Sequence, residues 1–498
     1  MGKHETQTPG DETGRGAHAT EVVPDATTTK TISGVLGSPR FWLAPLLLVV
    51  AIMSLMAAVY MGAIADPERN LHDFPIALVS TDSGAEVEAA DGKTTRENFG
   101  EQVASGIAKS AGERGFAVDR TNRVDALDKL NTGKVYGVVV IDPNFTARAV
   151  ALGRSAVLQA KPDPLSIDVY INRGSGTFAS AVTTTLADQV DEQVNEQVGA
   201  QLLDTVRGQL ASANLPLSGA AQLALSDPVD VRVVEPNPLP AGSGNGLSAF
   251  YYTLLLVLAG FTGAMMVSIV VDGMLGQTPI EYGPFYQLRM RLAISRWATL
   301  AAKWVIMLLV ALVQSALFIG VCTAVGTSLP NAFSLGAFSV LAIWAVGVSA
   351  SSMMAVFGNP GLIVNLLFFV ILGLPSSGGT LPLEASPRLF TWLASIEPMH
   401  LIYLGVRAIM YFDADWDAGL GRSVIQTAAG LLVGLVIGWA GTNFYDRKRW
   451  YRFAGGMTLS PRLTRMLDSA GSTTITQPLP EHLAAAEGAT KPASRDTR

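Results

Sequence analysis

Long apolar blocks constrain this chain more than any other feature of its sequence. Hydrophobic residues make up 49% of the 498 residues and charged residues only 15%, and the apolar residues are gathered into blocks. A helix that crosses a bilayer needs about 20 predominantly apolar residues. Candidate spans lie at residues 41–64, 250–271, 298–325, 334–357, 361–374 and 423–445. The pattern predicts an α-helical polytopic membrane protein with about six transmembrane helices, one before and five after a large insertion.

The polar stretches around these blocks predict the domain organisation. Residues 1–35 and 446–498 are rich in small, polar and charged residues, so we expect two disordered cytoplasmic tails, the second one basic at its start. The first transmembrane helix is expected within residues 36–65, and the five-helix membrane domain within residues 249–445. Between them, residues 66–248 alternate β-like and helical stretches, which is typical of an α/β domain.

One part of the insertion, residues 178–210, carries an apolar residue at every fourth position. A spacing of four outruns the 3.6-residue helical turn by about 40° per step, so the apolar stripe winds around the helix. Two interpretations remain open. The helix forms a stalk that packs on the domain and then against a second copy of the chain, or it is broken near Gly199 or Gly208 and packs within its own domain.

Basic residues near the span ends predict the orientation. Those that fall on one side are Arg40, Arg289, Arg291, Arg296, Arg447, Lys448, Arg449 and Arg452. The opposite side includes residues 375–421, where only Arg388 and Arg407 are basic. Because cytoplasmic loops carry the excess of lysine and arginine, we expect a multi-pass protein of the cytoplasmic membrane with both termini inside. Residues 66–248 are then extracytoplasmic.

Several functional classes are disfavoured. A net charge of -6 without a dense basic run argues against a nucleic-acid partner, and the single cysteine, Cys322, cannot form a disulfide within the chain or a cysteine-based metal site. The metalloprotease, esterase and phosphate-loop motifs are absent, so we expect neither an enzyme nor a cofactor. The centres of the spans contain no acidic residue, histidine or arginine, which argues against ion-coupled transport. Lys303 is expected to extend its ammonium to the membrane–water interface. Glu397 and His400 are interpreted as parts of a polar interfacial turn rather than as an acid–base pair.

Residues 361–374 are too short to cross a bilayer upright, and this singles out the turn that follows them. Irregular backbone at membrane depth survives only when it is buried in protein or faces a water-filled cavity. The candidate translocation-path residues are Pro375, Ser376, Ser377, Gly378, Gly379 and Asn365. The alternative is an ordinary interfacial loop, with Asn365 serving only helix–helix hydrogen bonding.

A second candidate site is the cytoplasmic segment 272–297. Its aromatic and basic residues are Tyr282, Phe285, Tyr286, Arg289 and Arg291. Aromatic residues and arginine are enriched at protein interfaces, so this segment is predicted to dock a separate ATPase as a short coupling helix. The alternative is that its arginines only set the topology and bind anionic lipid headgroups.

Two sets of motifs carry a family resemblance. Residues 76–84 (IALVSTDSG), 98–100 (NFG) and 133–145 (GKVYGVVVIDPNF) resemble the N-terminal domain of the YhgE/Pip (phage infection protein) group. Residues 372–379 (LGLPSSGG), with Pro382 and residues 405–412, are similar to actinobacterial permease-like relatives with a domain of unknown function. The order of one span, a large insertion and five spans also resembles the type-2 ABC exporter permeases.

The resemblance implies a function that the residues alone do not specify. It implies a permease subunit that forms a homodimer and exports a hydrophobic or amphipathic compound such as a lipid or drug. A separate ATPase would supply the energy, and the lipid bilayer is the other expected partner. The competing hypothesis is a membrane-anchored envelope receptor or secretion scaffold that acts through its extracytoplasmic domain.

Overall fold

A computed structural model of the chain describes residues 39–88, 94–158, 164–212, 217–283, 285–287, 294–448 and 450. The first elements in chain order are α1 (Pro39–Ile64), β1 (Phe74–Ser80), β2 (Ala85–Glu88), β3 (Thr94–Glu97), α2 (Phe99–Glu113), β4 (Phe116–Arg120), α3 (Arg123–Asn131), β5 (Gly137–Ile141), α4 (Phe145–Leu158), β6 (Leu165–Ile171), α5 (Thr177–Ser212), α6 (Gly219–Ser226) and β7 (Val229–Val234). They are followed by α7 (Leu247–Met274), β8 (Ile280–Tyr282), β9 (Phe285–Gln287), α8 (Arg296–Val325), α9 (Ala332–Phe357), α10 (Pro360–Asn365), a π-helical segment (Leu366–Ile371), α11 (Gly373–Ser376), α12 (Arg388–Ala394), α13 (Pro398–Tyr411) and α14 (Gly421–Arg447).

The described part is mostly helical, and five of its helices are long and apolar enough to cross a membrane. They are α1, α7, α8, α9 and α14. The count rises to six if α12 and α13, which are bent by 77° relative to each other, form one broken span. This is consistent with a multi-pass membrane protein. The tail predicted at residues 1–35 lies outside the described residues, as does the C-terminal tail beyond residue 450.

The strands between α1 and α7 form a five-stranded sheet in the order β4-β1-β5-β6-β7. Strand β1 runs parallel to β4 and β5, and β6 runs antiparallel to β5 and parallel to β7. Both faces are covered, since Ile76 and Leu78 pack into one apolar cluster and Ala77 and Val79 into another. Burial on both faces explains why β1 and β5 are continuous apolar runs. We call residues 74–234 the sheet unit.

The long helix α5 packs within the sheet unit. Its buried stripe consists of Leu186, Val190, Val194, Val198, Leu202, Val206 and Leu210, and all of them belong to the same cluster as one face of the sheet. Asn195 fastens the helix to strand β7, because its side-chain amide donates to Val229 O at 3.0 Å and accepts from Val229 N at 2.8 Å. The winding stripe is thus buried inside the chain, as the second interpretation of residues 178–210 requires, but the predicted break near Gly199 or Gly208 is wrong because α5 is continuous.

Asp82 joins three separate segments of the sheet unit. Its carboxylate accepts hydrogen bonds from Gly100 N at 3.1 Å, from Thr146 N at 3.3 Å and from the Thr146 hydroxyl. The Asn98 side chain donates to Asp82 O at 2.9 Å, and Phe99 N donates to the Thr146 hydroxyl at 2.7 Å. Because helix N-termini present unsatisfied N–H groups, this carboxylate stabilises the starts of both α2 and α4. The 76–84 and 98–100 motifs therefore meet at a structural junction.

Replacing Asp82 with alanine should destabilise the sheet unit by about 2–3 kcal/mol, since hydrogen bonds to a charged group contribute about 1.5–3 kcal/mol. Thermal unfolding of the purified full-length protein measures the loss. The matched control is Asp417→Ala, which removes a carboxylate that accepts no hydrogen bond from the sheet unit in the described residues. Equal melting temperatures for the two variants would show that the junction is not stabilising.

Helix α9 lies at the centre of the apolar helices and contacts α7, α8 and α14. Small residues allow the close approach, since a Cβ added at Gly260 would lie 2.6 Å from Val346 Cβ, and one at Gly438 would lie 2.6 Å from the Trp304 ring. Most residues of helix α1 are exposed. The Tyr60 hydroxyl donates to Val370 O at 2.9 Å and so joins α1 to the π-helical segment.

Residues 375–421, predicted on the extracytoplasmic side, contain α12 and α13, and Met399, Ile402 and Val406 of α13 belong to the main cluster of the apolar helices. The structure corrects two expectations. The segment predicted as a coupling helix instead contains the antiparallel strands β8 and β9, and α8 begins only at Arg296. Lys303 does not extend to the interface, because its ammonium lies 2.7 Å from Asp272 and its side chain is 6% exposed.

Candidate functional site

The turn at residues 375–379 is buried in protein. Ser376 and Ser377 are 0% and 1% exposed, and their hydroxyls donate to Leu372 O at 2.7 Å and Leu374 O at 2.8 Å. These bonds satisfy backbone carbonyl groups at the C-terminal end of α11, where no further helical N–H groups follow. Both serines are therefore enclosed by protein.

Two glycines allow the chain to leave this turn. Gly378 has a φ of +72°, which L-residues with a Cβ rarely adopt. A Cβ at the next position, Gly379, would overlap the ring of Phe250, which is 5% exposed on α7. The turn is therefore fixed against α7 by a close backbone approach.

Glu397 and His400 stabilise the bend between α12 and α13. Glu397 is 0% exposed, and its Oε2 accepts from Met399 N at 2.8 Å and His400 N at 3.2 Å, so it caps the N-terminus of α13. The His400 Nδ1 donates to Ser377 O at 2.9 Å and connects α13 to the buried turn. Both groups hold backbone in place, which agrees with a structural turn, although the turn lies inside the protein.

A polar cavity of about 310 Å³ lies between the sheet unit and the apolar helices. Its lining includes Tyr136 of the sheet unit together with Glu384, His400, Arg407 and Arg422. The Tyr136 hydroxyl donates to Glu384 Oε2 at 3.1 Å. Burial, and secondarily the Glu384 carboxylate, raises the pKa of Tyr136 well above its usual value, so the phenol stays neutral and continues to donate.

A second polar cavity, of about 410 Å³, adjoins the first. Gly133, Leu404, Arg407 and Arg422 line both, and Lys134 and Asp417 line only the second. We refer to the two together as the polar cavities. Arg407 is 7% exposed, and its guanidinium carbon lies 5.8 Å and 5.3 Å from the ring centres of Tyr403 and Phe412.

An apolar cavity of about 420 Å³ lies among α9, the π-helical segment, α13 and α14. Val346, Phe368, Leu401 and Val433 line it, with Ser349, Ser352, Gln426 and Thr427 as the polar minority. Ser395, at the bend before α13, lines both this cavity and the first polar one. An apolar wall with a few polar groups is typical of a small-molecule site.

The predicted site residues are only partly brought together. Gly378 lines a polar cavity, whereas Ser376, Ser377 and Gly379 are packed in the turn beside it. Asn365 is 1% exposed, and its side chain donates to Ala350 O at 3.0 Å, so it joins α10 to α9. Pro375 is partly buried at the end of the short helix.

The predicted coupling residues lie far along the chain from these cavities. Tyr282, Phe285 and Tyr286 fall on the hairpin β8–β9, whereas Arg289 and Arg291 lie outside the described residues. Sequence reasoning missed Arg407 and Arg422 as site residues. One signal for Arg407 was available, because an arginine inside the apolar stretch 398–411 is costly unless it has a role.

Within the described residues, no group of three or more histidine, cysteine, aspartate or glutamate side chains is placed to hold a metal ion. Comparison with known proteins adds one finding: the family model described as "Protein of unknown function (DUF3533)" matches residues 44–439. No curated protein and no solved structure matches the chain. The comparisons therefore give a family without an assigned activity.

Proposed function

The chain belongs to the DUF3533 family, and on that premise we propose that it is the membrane permease subunit of an ABC-type exporter. Its cargo is a hydrophobic or amphipathic compound, a lipid or a drug, moved across or out of the cytoplasmic membrane. The observation that carries the proposal is the apolar cavity of about 420 Å³ lined in part by α9 and α14, two helices that are long and apolar enough to cross a membrane.

We also propose a membrane topology and a relationship to known permease groups. Six spans, with α10, the π-helical segment and α11 together as the short fifth one, place both termini in the cytoplasm and the sheet unit outside. This choice is supported by Glu384, before α12, and Phe412, after α13, which both lie against the sheet unit. A kinship with the YhgE/Pip group and the type-2 exporter permeases is supported by the motif at residues 76–84 and by the one-plus-five order of the spans. Permeases of that type work as pairs, so we include a homodimer in the proposal.

The energy source is assigned to a separate ATPase, because the sequence contains no phosphate-binding loop. The hairpin β8–β9 lies between α7 and α8, on the side that this topology makes cytoplasmic. The hairpin, whose sequence includes Tyr282, Phe285 and Tyr286, is proposed as the docking segment for that partner in place of the coupling helix expected from the sequence, because aromatic residues are enriched at protein interfaces.

Purification of the full-length protein from its native host in mild detergent tests the proposal. We expect a co-purifying ATPase, and we expect its loss when Tyr282, Phe285 and Tyr286 are all replaced by alanine. The matched control replaces Arg289 and Arg291 with lysine, which keeps the positive charge and should leave the partner bound. Absence of any co-purifying ATPase would instead favour the envelope receptor or secretion scaffold.

A further inference from the structure

We propose that the polar cavities and the apolar cavity bind one anionic membrane lipid, with the headgroup at Arg407 and Arg422 and an acyl chain along α14. The inference rests on the proposed function in one respect, because it names the chemical class of the compound handled. Lipid binding itself requires no ATPase, so the binding experiment and the co-purification experiment can fail independently.

Arg407 is a buried cation that lines both polar cavities. Its side chain is 7% exposed and lies beside two aromatic rings, yet its Nε has no hydrogen-bond partner among the described residues. The Tyr403 hydroxyl is close to the guanidinium, but no ion pair with Arg407 forms within the described ranges. A buried charge without a counter-ion is costly. An anionic group in the cavity would remove that cost.

The charge balance of the polar cavities supports an anion. Arg407, Arg422 and Lys134 face Glu384 and Asp417, and the Glu384 carboxylate already accepts the Tyr136 hydroxyl. Arginine presents a planar fork that matches phosphate and carboxylate oxygens, so two arginines on one cavity wall suit such a headgroup.

Helix α14 connects the charged and the apolar parts. Arg422 lines the polar cavities, and one turn later Gln426 lines the apolar cavity, where it accepts a hydrogen bond from Arg422 Nε at 3.3 Å. The apolar lining continues along the same helix to Ile437. Gln426 and Ile437 are separated by about 16 Å at 1.5 Å per residue. One leaflet of hydrocarbon is about 15 Å thick, half of the bilayer core, so this length fits one acyl chain.

The sheet unit closes the charged end. Gly133, Lys134 and Tyr136 belong to it and line the polar cavities, so the headgroup would lie between the sheet unit and the apolar helices. A lipid seated there has its headgroup at the membrane surface and its chain among the helices, which is the orientation it has in a bilayer.

The first arm of the test measures the headgroup. Full-length protein in a neutral detergent is titrated with fluorescent phosphatidylglycerol and with phosphatidylcholine that carries the same label. We expect phosphatidylglycerol to bind more tightly, and Arg407→Gln or Arg422→Gln to weaken it about tenfold or more, as expected for a lost charged hydrogen bond. The control, Arg388→Gln, changes an exposed arginine outside these cavities and should leave binding unchanged. Equal binding of the two lipids would overturn the proposal.

The second arm measures the chain and does not depend on the buried arginine. Gly430 lines the apolar cavity, and a Cβ added there meets nothing within 4 Å, so Gly430→Leu should fill the cavity without disturbing the fold. The matched control is Gly320→Leu on α8, where a Cβ is equally unobstructed. We expect only Gly430→Leu to weaken lipid binding, and inorganic phosphate to compete poorly. Full competition by phosphate with no effect of Gly430→Leu would identify a free-anion site and refute the lipid.

Discussion

Replacing Lys303 with methionine alone should lower the free energy of unfolding by about 3–5 kcal/mol, the cost of breaking a buried ion pair from one side. The Lys303 ammonium lies 2.7 Å from the Asp272 carboxylate, and the two side chains are 6% and 13% exposed. Methionine has nearly the same length and stays apolar, so packing is largely kept while the carboxylate loses this cation. The pair joins the end of α7 to the start of α8.

The double variant Lys303→Met with Asp272→Leu separates charge from packing. Replacing both partners of a buried ion pair by apolar groups is often neutral, so the double variant should recover most of the free energy of unfolding that Lys303→Met loses. Lys448→Met, which removes an exposed lysine, is the matched control and should change little. Denaturant or thermal unfolding in detergent measures all three variants. A double variant as unstable as Lys303→Met would contradict the ion-pair explanation.

Helix positions were predictable because apolar length is a local property. The predicted span at residues 334–357 lies inside α9 (Ala332–Phe357), and that at residues 298–325 lies inside α8 (Arg296–Val325). Helix α8 begins two residues earlier, at Arg296, where the Ser295 side chain caps it by accepting a hydrogen bond from Ala298 N. Such ends depend on hydrogen bonds that a hydropathy pattern does not contain.

The environment of Arg407 could not be read from the segment 375–421. The small number of basic residues there predicted only the side of the membrane, whereas the structure places Arg407 beside Tyr403 and Phe412 and near Gly133 of the sheet unit. These neighbours are distant in sequence from one another. A single sequence therefore cannot show that the arginine is buried, and the polar cavities around it could not be predicted.

The hairpin β8–β9 was predicted as a helix although a local signal opposed that prediction. Gly283, which has a φ of +58°, and Pro284 follow Tyr282 in the sequence. Adjacent glycine and proline residues are strong turn signals, and a positive φ does not continue a helix. The Gly283-Pro284 pair therefore predicts a turn between the two strands, and it is a stronger local signal than the aromatic residues around it.

The second large effect is expected from substitutions in the buried turn at residues 375–379. Replacing Gly378 and Gly379 with valine should abolish lipid binding and any export while leaving insertion intact, because insertion depends on the apolar length of the helices. A side chain at φ +72° costs about 1–2 kcal/mol. Overpacking against Phe250 adds about 1–3 kcal/mol.

Removing the Phe250 ring should relieve the part of this effect that comes from Gly379. A Cβ at Gly379 would also lie 3.1 Å from Phe250 Cβ, so rotation of the ring alone cannot relieve the overlap. Phe250→Ala added to Gly379→Val should therefore restore part of the melting temperature, whereas it should not help Gly378→Val, whose cost lies in the backbone. Gly320→Val, at an unobstructed position on α8, is the control for valine in itself. Membrane abundance, melting temperature and phosphatidylglycerol binding are measured together. Normal binding by the double valine variant would show that the turn does not shape the site, and equal rescue of both single variants by Phe250→Ala would show that the backbone at Gly378 is unconstrained.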